Sequence, residues 1–137
     1  MKSVYIGNED EFNKIFSLFN DKKVQRTLDL KDCKNHDDLV CLMLDCGMTK
    51  EKYGKCFNSL KDALGDDGWS GFNVFYKIKN WHQYYLLNPK DAMILLNIFF
   101  TTIIEMKKLK NINYLIYLDV LPDFNDPEIS EFRYLLD

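Results

Sequence analysis

The chain has little of what most catalytic and cofactor sites require. Only two histidines occur, His36 and His82, and the four cysteines (Cys33, Cys41, Cys46 and Cys56) form no Cys-x-x-Cys pair. Zinc-ligand spacing is missing, and no metal is expected. No GxGxxG or GxxxxGK[ST] loop is present to cradle phosphates, so no nucleotide cofactor is expected either. A GxSxG nucleophile elbow is absent as well. Apolar runs are short, none approaching the ~18 residues of a membrane span. Met1-Lys2-Ser3 is not followed by an apolar signal-peptide region, so the expectation is a cytoplasmic protein with reduced thiols. Net charge is −3, which argues against direct nucleic-acid binding and against an anionic membrane surface.

What remains is ample material for a core. At 137 residues, with 47% hydrophobic and 15% aromatic residues, the chain is sized for one α/β domain without disulfides. Ser3 to Gly7 reads as a short strand. Asn8 reads as a helix cap, with Glu9, Asp10 and Glu11 in the first turn, where carboxylates suit the dipole. Phe12, Ile15, Phe16 and Phe19 then repeat at helical spacing. Val24 to Leu30 reads as a strand. His36 to Cys46 reads as a helix with Leu39, Leu42, Met43 and Cys46 inward, stopped by Gly47.

A short helix is expected over Tyr53–Leu64, with Phe57, Leu60, Ala63 and Leu64 on one side and Asn58, Ser59 and Asp62 on the other. It runs into the acidic turn Gly65-Asp66-Asp67-Gly68-Trp69. Phe72 to Lys79 follows as a strand, with Phe72, Val74, Tyr76 and Ile78 on one side and Phe75 on the other. Trp81 to Leu87 reads as a short helix or turn. Asn88-Pro89 opens a long helix to about Leu109, Asn88 capping and Pro89 in the first turn. Its apolar face is wide, and Asn97, Thr101, Glu105 and Lys108 form a polar strip. Tyr114 to Leu118 is almost wholly apolar, as in a strand covered on both faces. Asp126-Pro127-Glu128 opens a short helix carrying Ile129, Phe132 and Leu136. Strands separated by helices imply crossovers and a small parallel sheet.

Few of these residues assemble chemistry. His36 precedes Cys41 by five positions, an offset that does not face on a helix. Asp37 and Asp38 read as first-turn capping acids. Asp66 and Asp67 differ, because they follow the outward face that carries Asp62 and neighbour Trp69. Aromatic and charged groups clustered in that way resemble an interface anchor for a cationic pocket.

The segment Tyr53-Gly54 followed by Asn58, Leu60, Asp62 and Leu64 resembles the hallmark of the barstar family of ribonuclease inhibitors. In that family a Tyr-Gly or Phe-Gly turn leads into a helix of the pattern N-[WL]-D-A-L-x-D-x-L. The resemblance runs from Val24 to Asp119, leaving 1–23 as an N-terminal β-α extension and 120–137 as a helical tail. It implies a three-stranded parallel sheet with helices packed on it. It also implies an immunity or antitoxin role, blocking the active site of a cognate toxin, a basic nuclease, without being an enzyme. Tyr53, Asn58, Asp62, Asp66, Asp67 and Trp69 would meet the partner, with Glu105 at the margin. The chain departs from the pattern at Cys56, Asn58 and Lys61, keeping only the second acid, Asp62. Lys61 beside it opposes a cationic pocket, which implies a target other than the familiar ribonuclease. Two other classes stay open: a small enzyme using Cys41 or Cys56 with a histidine, and a binding module whose tail offers Phe132 and Leu136 to a partner.

Overall fold

The computed structural model describes residues 2–45 and 71–137. Among these residues four strands form one sheet: β1 (Val4–Ile6), β2 (Lys23–Asp29), β3 (Asn73–Lys79) and β4 (Tyr114–Leu118). Their order is β1-β4-β3-β2 and every neighbouring pair is parallel. The helices are α1 (Glu9–Leu18), α2 (His36–Asp45), α3 (Trp81–Leu87) and α4 (Pro89–Lys110), and a 3-10 helix closes the chain at Ser130–Leu136.

The parallel α/β expectation holds, but the sheet has four strands rather than three. The N-terminal run is not appended to the sheet. It pairs with β4 in register, Val4 opposite Ile116 and Ile6 opposite Leu118. β4 therefore has neighbours on both edges and cover on both faces, which accounts for its unbroken apolar sequence. The other strands shift by one residue at their ends. Phe72, expected inside β3, lies outside it and is exposed.

Alternation separates the strand residues into two faces. Leu28, Val74, Tyr76, Ile78, Tyr114, Ile116 and Leu118 face α2, α3, α4 and the tail in the larger core. Tyr5, Phe75, Leu115 and Tyr117 face α1 in a smaller one. Direction explains the division. The chain moves from β1 to β2 across the whole sheet under α1, then steps back through β3 to β4 under α2 and α4. Reversing the direction of travel moves right-handed crossovers to the opposite face.

The expected helix signals are mostly present. The Asn8 side chain accepts from the Glu11 amide at 3.0 Å and caps α1. Phe12 from this helix is 0% exposed and packs edge-on against Tyr5 and Phe75. Burying one such ring contributes about 1.5–3 kcal/mol. On α4, Pro89 sits in the first turn as expected, but Asn88 does not cap with its side chain; that amide donates to the Lys34 carbonyl at 2.9 Å. The helix ends at Asn111, left-handed at φ 54, with Ile112 N–H returning to the Met106 carbonyl. With the Asn111 N–H bonded to the Lys107 carbonyl, this is an αL closure using Asn where Gly is usual.

The tail differs most from expectation. Asp126 holds a turn, its side chain accepting from Glu128 N–H, and the helix begins later and winds as 3-10. Ile129, Phe132 and Leu135 are buried, whereas Leu136 is only half-buried. Phe132 is 5% exposed and packs with Phe100, so it completes this chain's core and is not offered to a partner. The polar strip of α4 lies beneath the tail: the Asn97 amide donates to the Glu128 carbonyl at 2.8 Å, and Thr101 to Asn97.

Candidate functional site

Six of the seven expected partner-binding residues, Tyr53, Asn58, Asp62, Asp66, Asp67 and Trp69, lie outside the described residues, as do Cys46, Gly47 and Cys56. The described chain stops at Asp45, the end of α2, and resumes at Gly71, just before β3. Glu105, the seventh, is on α4. It is half-buried and lines a cavity of about 380 Å³ with Thr101, Ile104, Glu131, Phe132 and Tyr134. The tail therefore shares its surroundings.

α2 is firmly held. Asn35 accepts from the Asp38 amide at 2.9 Å, and Asp38 accepts from the Lys34 amide at 3.0 Å. Asp38 is thus a capping acid, as its position implied. Gln83 donates to the Lys31 carbonyl, linking the loop before α2 to α3. At the centre, Asp91 of α4 takes His36 Nδ1 at 3.0 Å on one oxygen and the Tyr84 hydroxyl on the other. Burial, and then the Asp91 carboxylate, push the Tyr84 phenol far above its ordinary range, so it acts only as a donor. Cys33 is buried nearby, and burial followed by Asp38, Asp32 and Asp29 pushes its thiol up to about 11. A thiol in that state is protonated at neutral pH and a poor nucleophile. The His–carboxylate–Tyr set consequently ties three helices together.

The carboxyl end of the sheet carries a linked set of charges. Lys77 points to the α1 side and its side chain is 10% exposed. Glu9, at the start of α1, bonds it at 3.2 Å and Lys79 at 3.3 Å. The hydrogen bonds from Lys77 and Lys79 hold the Glu9 carboxyl below its usual range. Burial raises Asp29, but hydrogen bonds from Asn80 and the Lys31 amide outweigh it and leave the net shift downward. Asp119, just after β4, accepts from the Trp81 amide at 3.0 Å. It caps α3 from across the sheet, because Asn80 is left-handed and makes no side-chain cap.

Sequence reasoning missed this network. Glu9 was read only as a dipole-matched acid. The available signal was Lys77 and Lys79 two apart on the Phe75 side of a covered strand, since a lysine buried there needs a carboxylate.

The amino end is different. The C-terminal turn of α4, the starts of β1 and β4, and the tail enclose a cleft of about 600 Å³. Beside it a more polar cavity of about 540 Å³ contains Lys22, Gly71, Asn73, Lys107 and Lys110. Asn73 connects three segments here. Its amide donates to the Lys22 carbonyl, and its oxygen accepts from the Asn113 amide at 2.9 Å.

Among the described residues no helix is long and apolar enough to cross a membrane, and no group of three or more His, Cys, Asp or Glu is placed to hold a metal ion. No family model, curated protein or solved structure matches the chain.

Proposed function

We propose that the protein is a barstar-like inhibitor that binds and occludes a cognate toxin, a basic nuclease, in the cytoplasm of the cell that makes it. The observation supporting this reading is the order of the central elements. β2, β3 and β4 are contiguous and parallel, and the long helix α4 lies between β3 and β4. That is the element order the resemblance implies for residues 24–119. In the same scheme the acidic Tyr53–Trp69 segment falls between α2 and β3.

In this reading Asp62 pairs with a cationic residue in the toxin's active site. Tyr53 and Trp69 contribute desolvated contact area, and Asn58 adds a neutral polar contact. Asp66 and Asp67 raise the encounter rate through long-range attraction. Glu105 lies at the margin, where the tail sets how much of it a partner reaches. Lys61 beside Asp62 is the selective element: it repels a uniformly cationic pocket and so favours a target with an acid or a gap at that point.

The test is to recover the protein with its bound partners from its native host and assay them for nuclease activity. A nuclease that is silent in the complex and active once separated is the expected result. Bound proteins that show no nuclease activity in either state count against the reading.

A further inference from the structure

We infer that the cleft at the amino end of the sheet is a binding site for a small anionic amphiphile, a carboxylate with an aliphatic body. Its lining includes none of the residues assigned to the toxin-binding surface, so it neither depends on the inhibitor reading nor fails with it. Its volume, about 600 Å³, falls within the ~300–1,000 Å³ typical of small-molecule sites.

Its walls and rim differ in chemistry. Ile103, Ile112, Tyr114 and Leu135 line it, all largely buried by their other contacts. These walls are tied in place. Ser3 N–H bonds the Leu135 carbonyl at 3.0 Å, joining β1 to the tail, and the Ile112 N–H bond to the Met106 carbonyl holds Ile112 against the end of α4. Two exposed lysines, Lys107 and Lys108, stand at the rim. Lys107 Nζ rests 3.3 Å from the Asn113 side-chain oxygen, at the border between this cleft and the more polar cavity beside it. Lys2 also lines the cleft, but its ammonium is engaged by Glu11 at 3.3 Å and by the Tyr5 ring. Among the described residues, Asp137 is the one acidic side chain in the lining.

Electrostatics select the sign of the head group. A helix C-terminus carries roughly half a negative charge, which alone would repel an anion. Here the closing turn already engages the Met106 and Lys107 carbonyls. The two full positive charges of Lys107 and Lys108 outweigh the single Asp137 carboxylate together with the remaining dipole. An apolar body filling the interior with its carboxylate between Lys107 and Lys108 satisfies both parts of the cleft.

Decanoate, kept well below its micellar concentration, is the probe for the full-length chain. Titration followed by amide chemical shifts should give saturable changes centred on Ile103, Ile112 and Leu135. Decyltrimethylammonium, with the same tail and the opposite head, should bind at least tenfold more weakly. The double variant K107E/K108E, altered only at exposed positions, should lose about tenfold in decanoate affinity, and I104W should block the cleft. The inference is overturned by shifts that do not saturate or that centre elsewhere, by equal binding of the two heads, or by a charge-reversed variant that binds as tightly as the original. A decanoate-resistant dimer in sedimentation would also overturn it, by making the cleft a self-interface.

Discussion

The two ends of the sheet have been filled in opposite ways. Open parallel sheets commonly bind ligands outside the carboxyl ends of their strands, where neighbouring connections leave toward opposite faces. That divergence exists here between β1, which continues into α1 on one face, and β4, which continues into the tail on the other. Yet the protein's own groups occupy the position: Glu9 lies between Lys77 and Lys79, and Asp119 is spent on the Trp81 amide. The amino end has the reverse character, with an Asn73 clamp beside an open cleft whose rim lysines are not matched by as many acids. Charge density alone is thus a poor guide to a site. A neutralised cluster stabilises, and open space with a surplus of one sign is what can receive a ligand.

The contrast can be broken at either end. Asn73→Ala should have the largest effect, because it removes bonds to both neighbouring segments and leaves the part-buried Asn113 N–H without its acceptor. A loss of about 2–3 kcal/mol in chemical denaturation is expected. A change within experimental error would mean that the amino end does not depend on this clamp. Glu9→Gln comes next. It leaves Lys77 buried without its anion, but Glu9 is itself 37% exposed, so solvent screening reduces the loss to about 1–2 kcal/mol.

The same pair fixes the direction of a pH effect. The folded-state carboxyls of Glu9 and Asp29 lie below their unfolded values. Their contribution is therefore full above the ordinary carboxylate range and is lost as pH falls through the folded values. Denaturation midpoints measured from pH 6 downward should fall less steeply in Glu9→Gln than in the unaltered protein. Parallel curves would remove the carboxyl-end network from the account. Asp119→Ala should have the smallest effect, about 1 kcal/mol, as for loss of a helix cap. Hydrogen exchange should then rise first in α3, and a uniform rise would contradict a local capping role.

Much of this arrangement was legible because its causes are local. Asn8 followed by three acids marks a cap, Pro89 marks a first turn, and the spacing of Phe12, Ile15 and Phe16 marks the face of α1. What was not legible depends on partners far along the chain. β1 reads as an appendage until β4, more than a hundred positions later, is seen to accept it. The Asn88 side chain reads as a cap because a carbonyl fifty-four positions earlier, that of Lys34, leaves no local trace. Phe132 and Leu136 read as an apolar stripe of either kind, and burial against Phe100 decided for Phe132. The acidic segment from Tyr53 to Trp69 is carried by sequence pattern alone.

That segment is also where the functional account is most exposed to test. The direct measurement compares the affinity of the unaltered protein, Asp62→Ala and Asp37→Ala for the nuclease recovered with it, by calorimetry or by inhibition of nuclease activity. Asp62→Ala should weaken binding by about 2 kcal/mol or more, roughly thirtyfold, as for an anchoring residue, while Asp37→Ala binds unchanged. Equal affinities for all three would contradict the account.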